Sequence, residues 1–122
     1  MDILIVDDDE GVRAAFTRAL ERAGYAVTAV GNGLAAFAEI QRHHYRAIVC
    51  DVHMPFLPGQ NFYDELRKDY PQMADRLVFA TGWTEHDEVG PFLERTGRPV
   101  LRKPVDLKQL VATVRTIADR PA

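Results

Sequence analysis

Cysteine is nearly absent from this 122-residue chain, which has only Cys50. An internal disulfide is therefore impossible, and the usage fits a reducing compartment. Cys50 closes the apolar run Ala47-Ile48-Val49-Cys50, where a small buried hydrophobe is expected. Long apolar runs are also missing, and none approaches the ~18 residues of a membrane span. Met1-Asp2-Ile3 has neither the basic region nor the apolar stretch of a signal peptide. The expectation is a cytoplasmic protein with no membrane partner. Positive charge is not in excess: the net charge is −3, which argues against direct nucleic-acid binding. Internal repeats, linkers and low-complexity segments are lacking too.

What is present is an ordinary globular mix, 47% apolar and 27% charged. The length suits a single domain over residues 1–122, with 119–122 expected as a tail. Short β-rich runs alternate five times with amphipathic helical segments. Ile3 to Val6 predicts a strand buried on both faces, and Val12, Phe16, Ala19, Leu20 and Ala23 recur at helical spacing before Gly24. Tyr25 to Val30 predicts a second strand, and Leu34, Phe37 and Ala38 a second helix running to about His44. Ala47 to Cys50 and Leu77 to Ala80 predict two more strands, separated by a helix carrying Phe62, Leu66 and Tyr70. Gly90-Pro91 predicts a broken or short helix within Thr84 to Thr96. Pro99 to Leu101 reads as the fifth strand, and Asp106 as the N-cap of a last helix bearing Leu110, Val114 and Ile117 on one face. The fold class this implies is α/β, a single doubly wound five-stranded parallel sheet with helices on both faces.

In such sheets ligands bind beyond the carboxyl ends of the strands. The first strand runs into Asp7-Asp8-Asp9, the third into Asp51, the fourth into Thr81, and the fifth through Arg102 into Lys103-Pro104. Crowded carboxylates repel one another unless something offsets them. Asp7, Asp8 and Asp51 suit a hard divalent cation such as Mg²⁺, which takes oxygen ligands. Lys103 and Thr81 add a point charge and a donor suited to a phosphoryl group, and Asp51 can act as a nucleophile. Asp9 and Glu10 are expected to serve the start of the first helix rather than the cation. His43 and His44 suit a helix end better than a metal site. The charges of Glu85 to Glu88 read as a solvated loop, and Arg95, Arg98 and Arg102 as a solvated face.

Val6-Asp7-Asp8, Asp51-Val52-His53-Met54-Pro55, Thr81-Gly82 and Lys103-Pro104, in this order, resemble the signature of the receiver domain of two-component response regulators. The resemblance covers Asp2 to about Ala118 and implies a flavodoxin-like (βα)5 fold. It also implies that Asp51 is the phosphoacceptor, taking its phosphoryl group from a sensor histidine kinase or a phosphotransfer protein. Asp8, Asp51 and the backbone carbonyl of His53 would then hold Mg²⁺, with Asp7 acting indirectly. Lys103 and Thr81 would contact the phosphoryl group, Gly59 would be the family's loop glycine, and the peptide before Pro104 would be cis. The chain would be a signalling domain, not a turnover enzyme, catalysing its own phosphorylation and hydrolysis. It would switch its contacts with a downstream protein, as a monomer or weak dimer.

Three positions depart from the pattern or extend it. Val100 stands where relatives commonly carry an aromatic that couples to the threonine. Bulky His53 and Trp83 would restrict water near the phosphoryl group. A metal-dependent phosphatase would want an acid–base aspartate two residues after its nucleophile, and that position is His53. The other alternative is a receiver-like interaction module that works without phosphorylation.

Overall fold

The computed structural model describes residues 2–52, 59–82 and 89–121. His53 and Trp83 lie outside the described residues, as does Glu85 to Glu88. The chain runs β1 (Ile3–Val6), α1 (Glu10–Arg22), β2 (Val27–Val30), α2 (Gly33–Arg42), β3 (Ala47–Cys50), α3 (Gly59–Asp69), α4 (Pro71–Ala74), β4 (Leu77–Thr81), α5 (Val89–Thr96), β5 (Val100–Arg102) and α6 (Leu107–Ala118). The strands form one parallel sheet in the order β2-β1-β3-β4-β5.

Side-chain alternation splits the apolar strands between two cores. Ile3, Ile5, Ala47, Val49, Val78 and Ala80 pack with Phe16 and Leu20 of α1 and with Leu110, Val114 and Ile117 of α6. Leu4, Val6, Ile48, Cys50, Leu77 and Phe79 point the other way, onto α2, α3, α4 and α5. Cys50 is fully buried, as its run predicts. Both sheet faces are covered, which is why β1, β3 and β4 tolerate no polar residue before their last positions.

Helix starts follow the capping residues. The Asp9 carboxylate accepts from Val12 N–H at 3.1 Å, Asn32 from Ala35 N–H at 2.8 Å, and Asp106 from Lys108 N–H at 2.8 Å. After α1 the chain turns at Gly24, whose φ of 101° favours glycine. Several elements differ in detail from the sequence expectation. Tyr25 is buried among α1 and α6 side chains and its N–H bonds back to Leu20, so β2 begins only at Val27. His43 is the extended C-cap of α2, which ends at Arg42. Pro71 opens an unforeseen single-turn helix, a position where its missing N–H is harmless. Gly90-Pro91 lies in the first turn of α5, where proline is tolerated, and the helix is short, as expected. Gly59 is the first residue of α3.

At the opposite end of the sheet from Asp7, two arginines fasten the end of α6. Arg46 Nε donates to Ala118 O at 3.0 Å, and Arg76 donates to Arg46 O at 3.2 Å, Ile117 O at 3.3 Å and Pro121 O at 2.8 Å. Arg98 is half-buried, with Nε on Leu77 O at 2.9 Å, so of the three arginines read as a solvated face this one turns inward. Removing the Arg76 guanidinium takes away three hydrogen bonds to backbone carbonyls, two of them part-buried. Arg76→Met is expected to lower stability by about 1–3 kcal/mol, read as a lower urea midpoint at unchanged slope.

Candidate functional site

The strand order reverses at β1, since the chain passes from β1 to β2 on one side and returns to β3 on the other. Such a switch point opens a crevice beyond the strand ends. Val6 pairs with Cys50 across it, so Asp7 and Asp51 follow side by side, and Asp51 N–H donates to Val6 O at 2.9 Å. Both are buried, whereas Asp8, one residue further, is exposed. One carboxylate oxygen from each of Asp7, Asp8 and Asp51 lies within 4.8 Å of the others.

Lys103 enters from the far edge of the sheet. Its N–H continues the β4–β5 ladder to Thr81 O at 2.9 Å, and its Nζ bridges Asp7 Oδ2 at 2.7 Å and Asp51 Oδ2 at 3.2 Å. The Lys103–Pro104 peptide is cis. Burial by itself would pull the ammonium pKa down. The hydrogen bond to Asp7 and the charges of Asp51 and Asp7 outweigh it, and the pKa is raised. Cys50 is driven well above its usual value by burial, then by the Asp51 and Asp7 charges, so it stays an unreactive thiol. Thr81 ends β4 fully buried, and its Oγ1 has no hydrogen-bond partner among the described residues.

Asp7 has all its polar groups engaged within the chain. Its N–H donates to Val30 O, Oδ1 accepts from Asp9 N–H at 2.9 Å, Oδ2 takes Lys103, and its carbonyl accepts from Arg13 Nη1 at 2.7 Å. Arg13 went unremarked in the sequence. The available signal was its position one turn beyond the Asp9 N-cap, because helical side chains lean back toward the N-terminus. Asp9 and Glu10 sit at the start of α1 as expected. His43 and His44 are exposed, and neither belongs to a cluster of potential metal ligands among the described residues.

The donors are oxygens alone, three carboxylates with no imidazole or thiolate, which suits a hard cation such as Mg²⁺ rather than zinc. The orphaned Thr81 hydroxyl and the Lys103 ammonium stand at the neighbouring strand ends, a pairing that fits an anionic tetrahedral group.

A family model for the response regulator receiver domain matches residues 3–115. The chain belongs to this family. Receiver domains are signalling domains that bind Mg²⁺ at an acidic pocket and interact with histidine kinases or phosphotransfer proteins. This receiver domain is 32% identical to the transcriptional regulatory protein CusR of Escherichia coli, covering 100% of this chain and 53% of CusR. It thus spans about half the length of CusR, and 12% of a Brucella abortus sensor kinase that also matches. It is 30% identical to the response regulator receiver protein CpdR of Brucella abortus, with 89% of each chain covered. Among solved structures, a CheY-like receiver domain protein from Methanospirillum hungatei is similar at a TM-score of 0.86 and 25% identity, over 97% of this chain and 93% of that one. The receiver fold is the expected doubly wound, flavodoxin-like sheet. No helix among the described residues is long and apolar enough to cross a membrane.

Proposed function

We propose that this receiver domain accepts a phosphoryl group on Asp51 from the phosphohistidine of a sensor histidine kinase or phosphotransfer protein. The observation that carries this reading is the Lys103 ammonium bridging Asp51 and Asp7 inside a cluster of three carboxylates. Asp8 and Asp51, with the His53 carbonyl, would hold Mg²⁺, and Asp7 would act indirectly. That role for Asp7 is supported by the engagement of both its oxygens with Asp9 and Lys103. When bound, Mg²⁺ supplies positive charge to offset that of the phosphoryl oxygens.

An Asp51 oxygen attacks phosphorus, the phosphorus–nitrogen bond breaks, and the imidazole departs with its electron pair. Lys103 then exchanges the Asp51 carboxylate for a phosphoryl oxygen, and Thr81 donates its unpartnered hydroxyl to another. Water later cleaves the acyl phosphate, regenerating the carboxylate and releasing phosphate. The added charge, about −1.5 to −2, favours one of two arrangements of the surface near Thr81 and β5, and a downstream protein reads the change.

The test is intact mass after incubation with a small-molecule phosphodonor, with and without Mg²⁺, for wild type and Asp51→Asn. A Mg²⁺-dependent gain of one phosphoryl group in wild type, lost in the variant, is the expected result. No gain in wild type would leave the alternative, an interaction module that works without phosphorylation.

A further inference from the structure

We propose that Arg13 is a positioning residue for the cation site, holding the β1–α1 turn so that Asp7 and Asp8 keep the arrangement in which they meet Asp51. The inference rests on the receiver reading above and concerns a residue that reading does not use.

The turn from Val6 to Asp9 carries two of the three carboxylates, and the exposed Asp8 carboxylate has no hydrogen-bond partner among the described residues. What orders Asp8 must therefore act through the backbone beside it. Arg13 lies one turn into α1, part-buried, and reaches back to the Asp7 carbonyl, the acceptor in the peptide that joins Asp7 to Asp8. The 2.7 Å contact is a charge-assisted bond from a planar donor, so it restrains the peptide plane and with it the direction in which Asp8 leaves the turn. Outer residues that orient metal ligands in this way carry a large part of the affinity.

Gly31, immediately after β2, lies against this arm. A Cβ built there would lie 3.4 Å from Arg13 Nη1 and 3.9 Å from its Cζ. Gly31 is not held at positive φ, and a Cβ there would meet the arm at ordinary van der Waals distance, so only a larger, branched side chain would crowd it. The guanidinium that holds the end of β1 is thus in contact range of the end of β2.

Charge and positioning predict opposite signs. If Arg13 acted only as a nearby positive charge, removing it would tighten Mg²⁺ binding. If it orders the turn, removing it weakens binding, by about 10-fold on the scale of outer-sphere substitutions. Mg²⁺ titration calorimetry on the apo protein decides between them. Arg13→Met is expected to raise Kd about 10-fold, Arg13→Lys to recover part of the loss, and Gly31→Val, which crowds the arm without removing it, to weaken binding in the same direction. Asp8→Asn should abolish the heat and so assign it to this pocket, and thermal unfolding in chelator identifies any variant that fails to fold. Unchanged or tighter binding by folded Arg13→Met would overturn the inference and leave the receiver reading standing. Absence of Mg²⁺ binding in wild type would overturn both.

Discussion

Lys103→Met is expected to slow phosphoryl uptake from a small-molecule phosphodonor by about 10²–10³-fold, the loss typical of removing one preorganised donor from developing charge. Methionine keeps most of the stem packing and removes only the ammonium that touches Asp7 and Asp51. Two buried carboxylates are then left facing each other. In chelator the variant should therefore unfold at lower temperature, with a stability loss of a few kcal/mol. The loss should fall short of the ~3–5 kcal/mol of a fully buried pair, because the Lys103 side chain keeps 22% exposure. Mg²⁺ should restore more stability to the variant than it adds to wild type. The ammonium pKa is raised in the folded protein, so this contribution is complete below the ordinary lysine value of about 10.5 and disappears only as pH rises through the folded value. The wild-type advantage should hold flat through neutral pH and fade only in strong alkali. An uptake rate within about threefold of wild type would mean that the ammonium does not meet the transferring group.

Phe79→Ala should cost about 3–5 kcal/mol, a large share of the roughly 5–15 kcal/mol that holds a domain of this size together. Phe79 is fully buried at the middle of β4, paired with Cys50 on one side and Val100 on the other. Its ring is tilted against Tyr63 at 5.8 Å and stands edge-on to Phe92 at 5.6 Å. Tyr63 belongs to α3 and Phe92 to α5, so the cavity would open where two helices meet the sheet and neither could close it alone. Equilibrium urea unfolding measures the loss. A change below about 1 kcal/mol would mean that α5 collapses into the gap. Phe79→Leu should cost less, since more of the volume remains.

The strand ends were readable in the sequence because burial on both faces leaves a sharp signal. Ile3 to Val6 and Ala47 to Cys50 are apolar without a break, and the first polar residue after each is a site residue. Asp7, Asp51, Thr81 and Lys103 follow from that reading, and the parallel registers bring their strand ends to one edge of the sheet. Tyr25 misleads because an aromatic suits both a strand and a core position, and only packing between α1 and α6 decides. Gly90-Pro91 reads as the sign of a short helix, and Pro91 lies in the first turn of one, where it is harmless. The bonds from Arg46 and Arg76 to distant carbonyls leave no periodicity at all. An arginine that fastens a remote chain segment has the same sequence appearance as one that waves in solvent.

The bridge from Lys103 to Asp7 joins residues 96 positions apart, linking the last strand region of the chain to the first. A partly assembled sheet that pairs β1 with β3 but lacks β5 sets Asp7 beside Asp51 with no ammonium between them. Such an intermediate bears an electrostatic penalty that the complete sheet does not. Closing so long a loop is entropically demanding, yet it is the step that relieves the repulsion. The carboxylates of the proposed phosphoryl site therefore tie the stability of the first strand's end to docking of the last strand.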